Sequence, residues 1–294
     1  MTTPAPPPEP RRRLLTRRRF VLAAGLGAVG VVAYTFRIGP HHLQIVRRDM
    51  PVPDLPPGLA GRTLAQVSDL HVGPHVDAEY LAGALRTVSS LSPDIVAVTG
   101  DFMSLGTAAR LDEVARVMAN LAPPPLGCFA ALGNHDYGEQ WRDADLAERL
   151  SHRLTDGGVR VLRNEAVGVA GLTLVGLDDL WSPNFRPEAV LAGVTEDAPA
   201  VVLCHNPDAA DRPVWSKFRG WILSGHTHGG QCKPPFLPPP LLPVANRRYT
   251  SGAFDLGGGR RMYINRGLGH LTKVRFNCRP EITLFRLVRA ASVQ

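Results

Sequence analysis

Short apolar runs in this chain end repeatedly on residues with oxygen or imidazole donors. Asp69 and His71 follow one run in SDLH, Asp101 closes TGD, Asn134 and His135 stand in GNHD, His205 opens HNP, and His226 and His228 lie in SGHTHGGQ. A lone aspartate after a strand is usually a turn residue or a helix cap. Five such ends in succession are not independent accidents. Leaving out His135, the set offers seven oxygen and nitrogen donors, which suits two divalent cations of borderline hardness such as manganese, iron or zinc. Two ions roughly 3.5–4 Å apart can share one carboxylate and one water, turn that water into a bridging hydroxide and clamp phosphoryl oxygens. No cysteine joins the set, which fits a catalytic centre better than a structural zinc site.

The elements that must carry these residues alternate in type. β-Prone runs at 62–68, 95–99, 127–132, 159–162, 172–177, 201–204, 221–223, 261–265 and 281–288 are separated by helical spacings at 77–91, 109–121, 141–155 and 187–194. That rhythm predicts an α/β organisation with sheets covered by helices. Ligand sites in such folds lie outside the carboxyl ends of strands, where the donors fall. Positions two apart share a face only on an extended segment, so the spacing predicts an extended His226–His228 stretch, with Gly229 and Gly230 keeping bulk away from the ions. A plain tight turn is the alternative for those glycines.

The chain has 294 residues, 44% hydrophobic and 20% charged, with a formal net charge of +7. Nearly all of that excess is local: residues 1–48 hold nine arginines and one glutamate, leaving 49–294 close to neutral. A polyanion-binding body is therefore disfavoured and no nucleic-acid partner is expected. The arginines belong to a leader in which Thr16-Arg17-Arg18-Arg19-Phe20-Val21 precedes 16 uncharged residues, Val21 to Phe36. This is the layout of a charged n-region and an apolar h-region. Its wording resembles the twin-arginine export signal, which implies passage through the twin-arginine translocon; an ordinary signal anchor has the same layout, and 16 residues fall just short of a spanning helix. Either route predicts an extracytoplasmic, membrane- or envelope-associated body. The expected division is a signal or anchor at 1–40, a Pro-rich linker at 41–61, the main domain at 62–288 and a tail at 289–294. Cys128, Cys204, Cys232 and Cys278 show no C-x-x-C spacing. A Cys232–Cys278 bridge is open, with nothing favouring it.

The ordered series D-x-H, G-D, G-N-H-D, H and G-H-x-H resembles the calcineurin-like metallophosphoesterases over roughly residues 62–288. The wordings SDLH, GNHDY, GLDDLW, CHNPD, SGHTHGGQ and NRGLG are similar to the exported or membrane-associated bacterial branch of YkuE/YaeI type. The resemblance implies a two-sheet β-sandwich flanked by helices, the four-layer α/β/β/α metallophosphoesterase fold, and hydrolysis of phosphodiester or phosphomonoester bonds. It implies that Asp69, His71 and His228 hold one ion, that Asn134, His205 and His226 hold the other, and that Asp101 bridges them. His135 would face the substrate and protonate the leaving oxygen, with Asp136 orienting its ring; many relatives have glutamate where this chain has Asp136.

Weaker candidates surround that set. Asp178 and Asp179 border the substrate or sit in a solvated turn. Arg266 meets a substrate phosphate through its guanidinium fork or forms a structural salt bridge. The apolar, Pro-rich stretch from Pro234 to Pro243, with Phe236, Leu237, Leu241 and Leu242, accepts an acyl chain, rests on a membrane or folds back onto the core. Two narrower functions stand beside the general one: a lipid-directed phosphoesterase or pyrophosphatase of the UDP-diacylglucosamine type, against which export counts, and a non-catalytic metal-binding scaffold, against which the filled ligand set counts.

Overall fold

The computed structural model describes residues 16–290 apart from 105 and 216. Two six-stranded mixed sheets pack face to face. The first contains β1 (Gln44–Val52), β2 (Thr63–Val67), β3 (Ile95–Thr99), β4 (Cys128–Ala131), β5 (Val159–Val161) and β12 (Glu281–Arg289), in the order β1-β12-β2-β3-β4-β5. The second contains β6 (Glu165–Val169), β7 (Leu172–Gly176), β8 (Ala200–Leu203), β9 (Gly220–Ser224), β10 (Gly252–Gly257) and β11 (Arg260–Ile264), in the order β10-β11-β9-β8-β7-β6. Between the sheets Leu64, Ile95, Phe129, Leu174, Leu203, Trp221 and Tyr263 form one apolar layer. Helices α2 (Ala78–Ser90), α3 (Ala108–Met118) and α4 (Ala144–Asp156) cover the outer face of the first sheet, and α5 (Pro187–Ala192) with neighbouring loops covers that of the second. The result is the expected four-layer sandwich.

Local sequence explains these elements. Leu81, Leu85 and Val88 of α2 recur at helical spacing and are fully buried, each stabilising the layer by about 1.5–3 kcal/mol. Asp77 caps that helix by accepting from the Glu79 amide at 2.9 Å, and Asp143 caps α4 through the Leu146 amide at 2.8 Å. The central strands are apolar on both faces because each is sandwiched; every residue of β3, β4, β8 and β9 is buried. β2, β3, β4 and β5 run parallel, as do β7, β8, β9 and β11, so their carboxyl ends collect the donor-bearing loops. Polar bonds join the sheets there: the Gln66 amide donates to the Ser224 carbonyl at 3.0 Å, and the Asn265 amide to Thr283 Oγ1 at 2.9 Å.

The expected linker at 41–61 is corrected. Gln44–Val52 is β1, paired in parallel with β12 over nine positions, and Met50, Val52, Leu55 and Leu59 are buried in the inter-sheet layer. Its charges and Pro51 disguise it, and both are tolerated because β1 is an edge strand. Two further edge strands, β6 and β10, were not expected because they are largely exposed, β6 at Glu165, Ala166 and Gly168 and β10 on alternate residues. The expected tail is shortened too, since β12 reaches Arg289. Upstream, α1 (Arg17–Ala33) continues through further helical turns to His41, a 25-residue span with Phe20, Leu26 and Val29 exposed. At 1.5 Å per residue that is about 37 Å, long enough for a bilayer core of about 30 Å. The arginines at 11–13 lie outside the described residues.

Candidate metal centre

Seven predicted donors converge where the two sheets meet. Asp69 and His71 follow β2, Asp101 follows β3, Asn134 follows β4, His205 follows β8, and His226 and His228 follow β9. All seven are at most 5% exposed. Asp69, His71 and His228 form one compact group of facing donor atoms, and Asp101, His205 and His226 form a second. His71 Nε2 lies 3.0 Å from His228 Nε2, and His228 Nε2 lies 3.3 Å from Asp69 Oδ1. Asp101 Oδ2 stands between the groups, 3.5 Å from His71 Nε2 and 3.1 Å from His205 Nε2.

Backbone conformation aims these side chains. Asp69, His71, Asp101, His226 and His228 all have φ between 50° and 68°, in the left-handed region. Each such non-glycine residue costs about 1 kcal/mol, and the cost persists only where the surroundings enforce it. The His226–His228 stretch is therefore not extended, which corrects the expectation. Two successive reversals of the chain turn both rings inward. Gly229 and Gly230 serve packing instead: an added Cβ would lie 2.4 Å from Cys278 Sγ at Gly229 and 2.3 Å from Pro239 Cβ at Gly230. The close approach to the carboxylates occurs at Gly133 and Gly225, where a Cβ would meet Asp101 Oδ1 at 2.2 Å and Asp69 Oδ2 at 2.4 Å. All four cysteines are free.

Hydrogen bonds set the tautomers. His205 Nδ1 lies 2.7 Å from the Thr99 carbonyl and His226 Nε2 lies 2.8 Å from the Pro243 carbonyl. A carbonyl only accepts, so these nitrogens carry protons; His226 Nδ1 is then a lone pair 3.2 Å from His205 Nε2, which itself faces Asp101 Oδ2 at 3.1 Å. Although burial pushes the His205 ring down, Asp101, Asp69 and Asp179 more than offset this and hold it well above the ordinary imidazole range. Asn134 Oδ1 is buried and no protein donor meets it. Imidazole nitrogens and carboxylate oxygens packed this tightly in a buried site, together with an orphaned amide oxygen, fit cations. Burial pushes His71 and His226 down to about 3, so both rings are neutral, the form a ligand requires. Burial pushes Asp69 up to about 7. Asp101 is also pushed up by burial, but His205 and His135 more than offset this and hold it well below the usual carboxylate range.

Other expectations change. Asp136 does not orient the His135 ring: its Oδ1 accepts from the Phe102 and Met103 amides at 2.8 and 3.3 Å, and its Oδ2 from the Gly133 amide at 2.9 Å. It ties the loop of Asp101 to the loop of Asn134. His135 is half-buried, its ring set edge-on to His71 at 5.1 Å, and its backbone amide donates to Asp101 Oδ1 at 2.9 Å. Asp178 is consumed by Tyr137, by Arg163 at 3.1 Å and by Asn164 at 3.1 Å, so it does not border substrate. Asp179 is fully buried; its Oδ1 accepts from the Trp181 amide at 2.8 Å and its Oδ2 meets no protein donor. Arg266 pairs with Glu281 and donates to Gln44 Oε1 at 3.1 Å, the structural alternative. The sequence reading missed Thr99 and Pro243, which act through backbone carbonyls and leave no side-chain signal, and Trp181, whose ring lies edge-on to His226 at 4.6 Å.

A two-sheet sandwich with two buried Asp/His groups at parallel strand ends offers places for two metal ions. The comparisons agree: residues 62–230 match the calcineurin-like phosphoesterase family, and the chain belongs to it. It is 31% identical to the uncharacterized metallophosphoesterase YkuE of Bacillus subtilis, covering 94% of this chain and 97% of that protein. It is 31% identical to the phosphodiesterase YaeI of Escherichia coli, covering 94% and 100%. It is 28% identical to the UDP-2,3-diacylglucosamine pyrophosphatase LpxG of Chlamydia muridarum, covering 84% and 90%.

Proposed function

We propose that the chain is a membrane-anchored, extracytoplasmic phosphodiesterase, exported with its N-terminal helix by the twin-arginine translocon, that acts on a phosphoester with an apolar arm. Asp69, His71 and His228 would hold one divalent ion, Asn134, His205 and His226 the other, and Asp101 both; manganese, iron and zinc all suit this sulfur-free donor set. When bound, such ions polarise phosphoryl oxygens and activate water. The chain's own residues do the rest. Thr99 and Pro243 fix the two imidazoles, Asp136 holds the two loops in register, and the half-buried His135 ring, beside His71, donates a proton to the leaving oxygen.

The observation that carries the apolar-arm reading is a cavity of about 570 Å³ bounded by His226 and His228 at one end and by Leu241, Leu242, Leu271 and Val274 elsewhere. Leu241 and Leu271 of its lining stand exposed, as do Phe236 and Leu237 of the same Pro-rich stretch. The helical segment that can cross a membrane is tied to the residue next to that lining, since the amide of Arg275, adjacent to Val274, donates to the Thr35 carbonyl at 3.0 Å; within the lining, Gln231 donates to the Thr272 and Val274 carbonyls at 3.2 and 3.3 Å. An apolar slot between an anchor and a phosphoryl site favours a substrate drawn from the bilayer. The relative named for an acylated substrate is consistent with it.

The test uses purified full chain in detergent. Chelation should abolish hydrolysis of bis-p-nitrophenyl phosphate and manganese should restore it; chelator-resistant turnover would sink the two-ion account. Leu241→Asp should lower turnover of long-chain phosphodiesters while sparing bis-p-nitrophenyl phosphate, and equal loss on both would remove the apolar arm.

A further inference from the structure

We propose that Trp141, with Trp181 behind it and Gln140 and Arg142 beside it, forms a stacking subsite for a nucleobase on the other arm of the substrate. The Trp141 and Trp181 rings are stacked at 4.6 Å with 28° between their planes, and Trp181 in turn meets the His226 ring edge-on at 4.6 Å. The platform therefore starts at a residue of the metal centre. Gln140, Trp141, Arg142 and Trp181 line an open cavity of about 650 Å³. Trp141 is 36% exposed where it lines that cavity.

Backbone strain supports a functional reason for that exposure. Gln140 and Trp141 have φ of 57° and 59°, consecutive left-handed residues of which one is a bulky aromatic. Such a conformation is a genuine outlier, and it holds the indole out rather than burying it. The loop is fixed from both sides: the Trp141 amide donates to the Gly138 carbonyl at 3.2 Å and the Asp143 amide to the Tyr137 carbonyl at 2.9 Å. The Trp181 side is fixed by Asp179, which accepts from the Trp181 amide and whose own carbonyl accepts from the Ser182 amide at 3.0 Å. A rigid indole face recognises a flat π-system, and a guanidinium and an amide at its edge suit the donors and acceptors of a base. His226 is shared by two unlike walls, since its ring also bonds Pro243 of the apolar cavity. The subsite thus rests on the two-ion reading of His226 and assigns the second arm.

Binding separates the two ideas because it needs no turnover. Calorimetric titration of the manganese-supplemented full chain should show adenosine 5′-monophosphate binding about tenfold tighter than ribose 5-phosphate, which carries the same phosphate without a base. Trp141→Leu should erase that tenfold while leaving ribose 5-phosphate unchanged, and Trp141→Phe should keep most of it. Equal affinities in the unaltered protein would overturn the subsite without reference to any variant. So would a base advantage that survives W141L, or a variant that weakens both ligands alike, which points to the sugar. Failure of both ligands to bind would remove the ion centre and the subsite with it.

Discussion

Replacing Asp136 by alanine tests whether this carboxylate steers a catalytic ring or holds two loops together. In the structure it accepts from three buried amides, those of Phe102, Met103 and Gly133, and none of its oxygens serves His135. Removing the acceptor leaves two well-formed amide bonds and one longer one unmade in a dry site, at about 1–3 kcal/mol for each unsatisfied donor. A total loss of about 4 kcal/mol is expected, or about 10 °C in Tm for a domain of this size. Bound metal should fall with it, because Asp101 and Asn134 sit on the loops that come apart. Asparagine should behave differently. Burial and the nearby Asp101 charge push Asp136 up to about 8, so a neutral group of the same shape is tolerated. It keeps one acceptor oxygen for Phe102 and Met103 and misplaces a donor only toward Gly133, for a cost of about 1 kcal/mol. Thermal unfolding followed by circular dichroism and metal content by mass spectrometry read both variants. An alanine variant with unchanged Tm and full metal but slow turnover would restore the ring-steering role and refute the clamp.

His135→Ala should lower kcat for bis-p-nitrophenyl phosphate by about 10²–10⁴-fold with metal content unchanged, the range of a lost proton donor; loss of metal in that variant would make His135 a ligand. Arg17→Lys with Arg18→Lys should leave the protein in the cytoplasm by cell fractionation, and normal export would refute the twin-arginine route. His270 is buried, bonds the His75 carbonyl at 2.9 Å and is pushed down to about 4 by burial. Its folded value lies below the unfolded one, so it contributes stability above pH 6.5 that is lost as pH falls toward 4, at most about 2 kcal/mol between pH 7 and 4.5. Urea unfolding should show that acid loss in the unaltered protein and a smaller one in His270→Gln; identical pH profiles would remove His270 as the cause.

The central strands were legible because a strand buried on both faces must be apolar along its length, and each ended at a residue whose chemistry marked it. The donors Asp69, His71, Asp101, Asn134, His205, His226 and His228 were likewise legible as a set, since their order along the chain carried the resemblance to the family. Edge elements were not: β1 looks like a linker because an edge strand can hold Arg47, Arg48, Asp49 and Pro51 at no cost to a core. Roles that depend on direction were also beyond the sequence. Arg266 and Asp178 are residue types that bind phosphate or border it, and only the fold supplied the partners, Glu281 for one and Arg163 for the other, that occupy them. The turn of SGHTHGGQ shows the same division. Its two histidines and their flanking glycines were fixed by covalent order, but the left-handed backbone that turns both rings inward is enforced by Asp69 accepting from the His226 amide, by Pro243 and by Cys278, all distant in sequence. Residue types determine which chemistry is available; tertiary packing decides which of those groups are free to perform it.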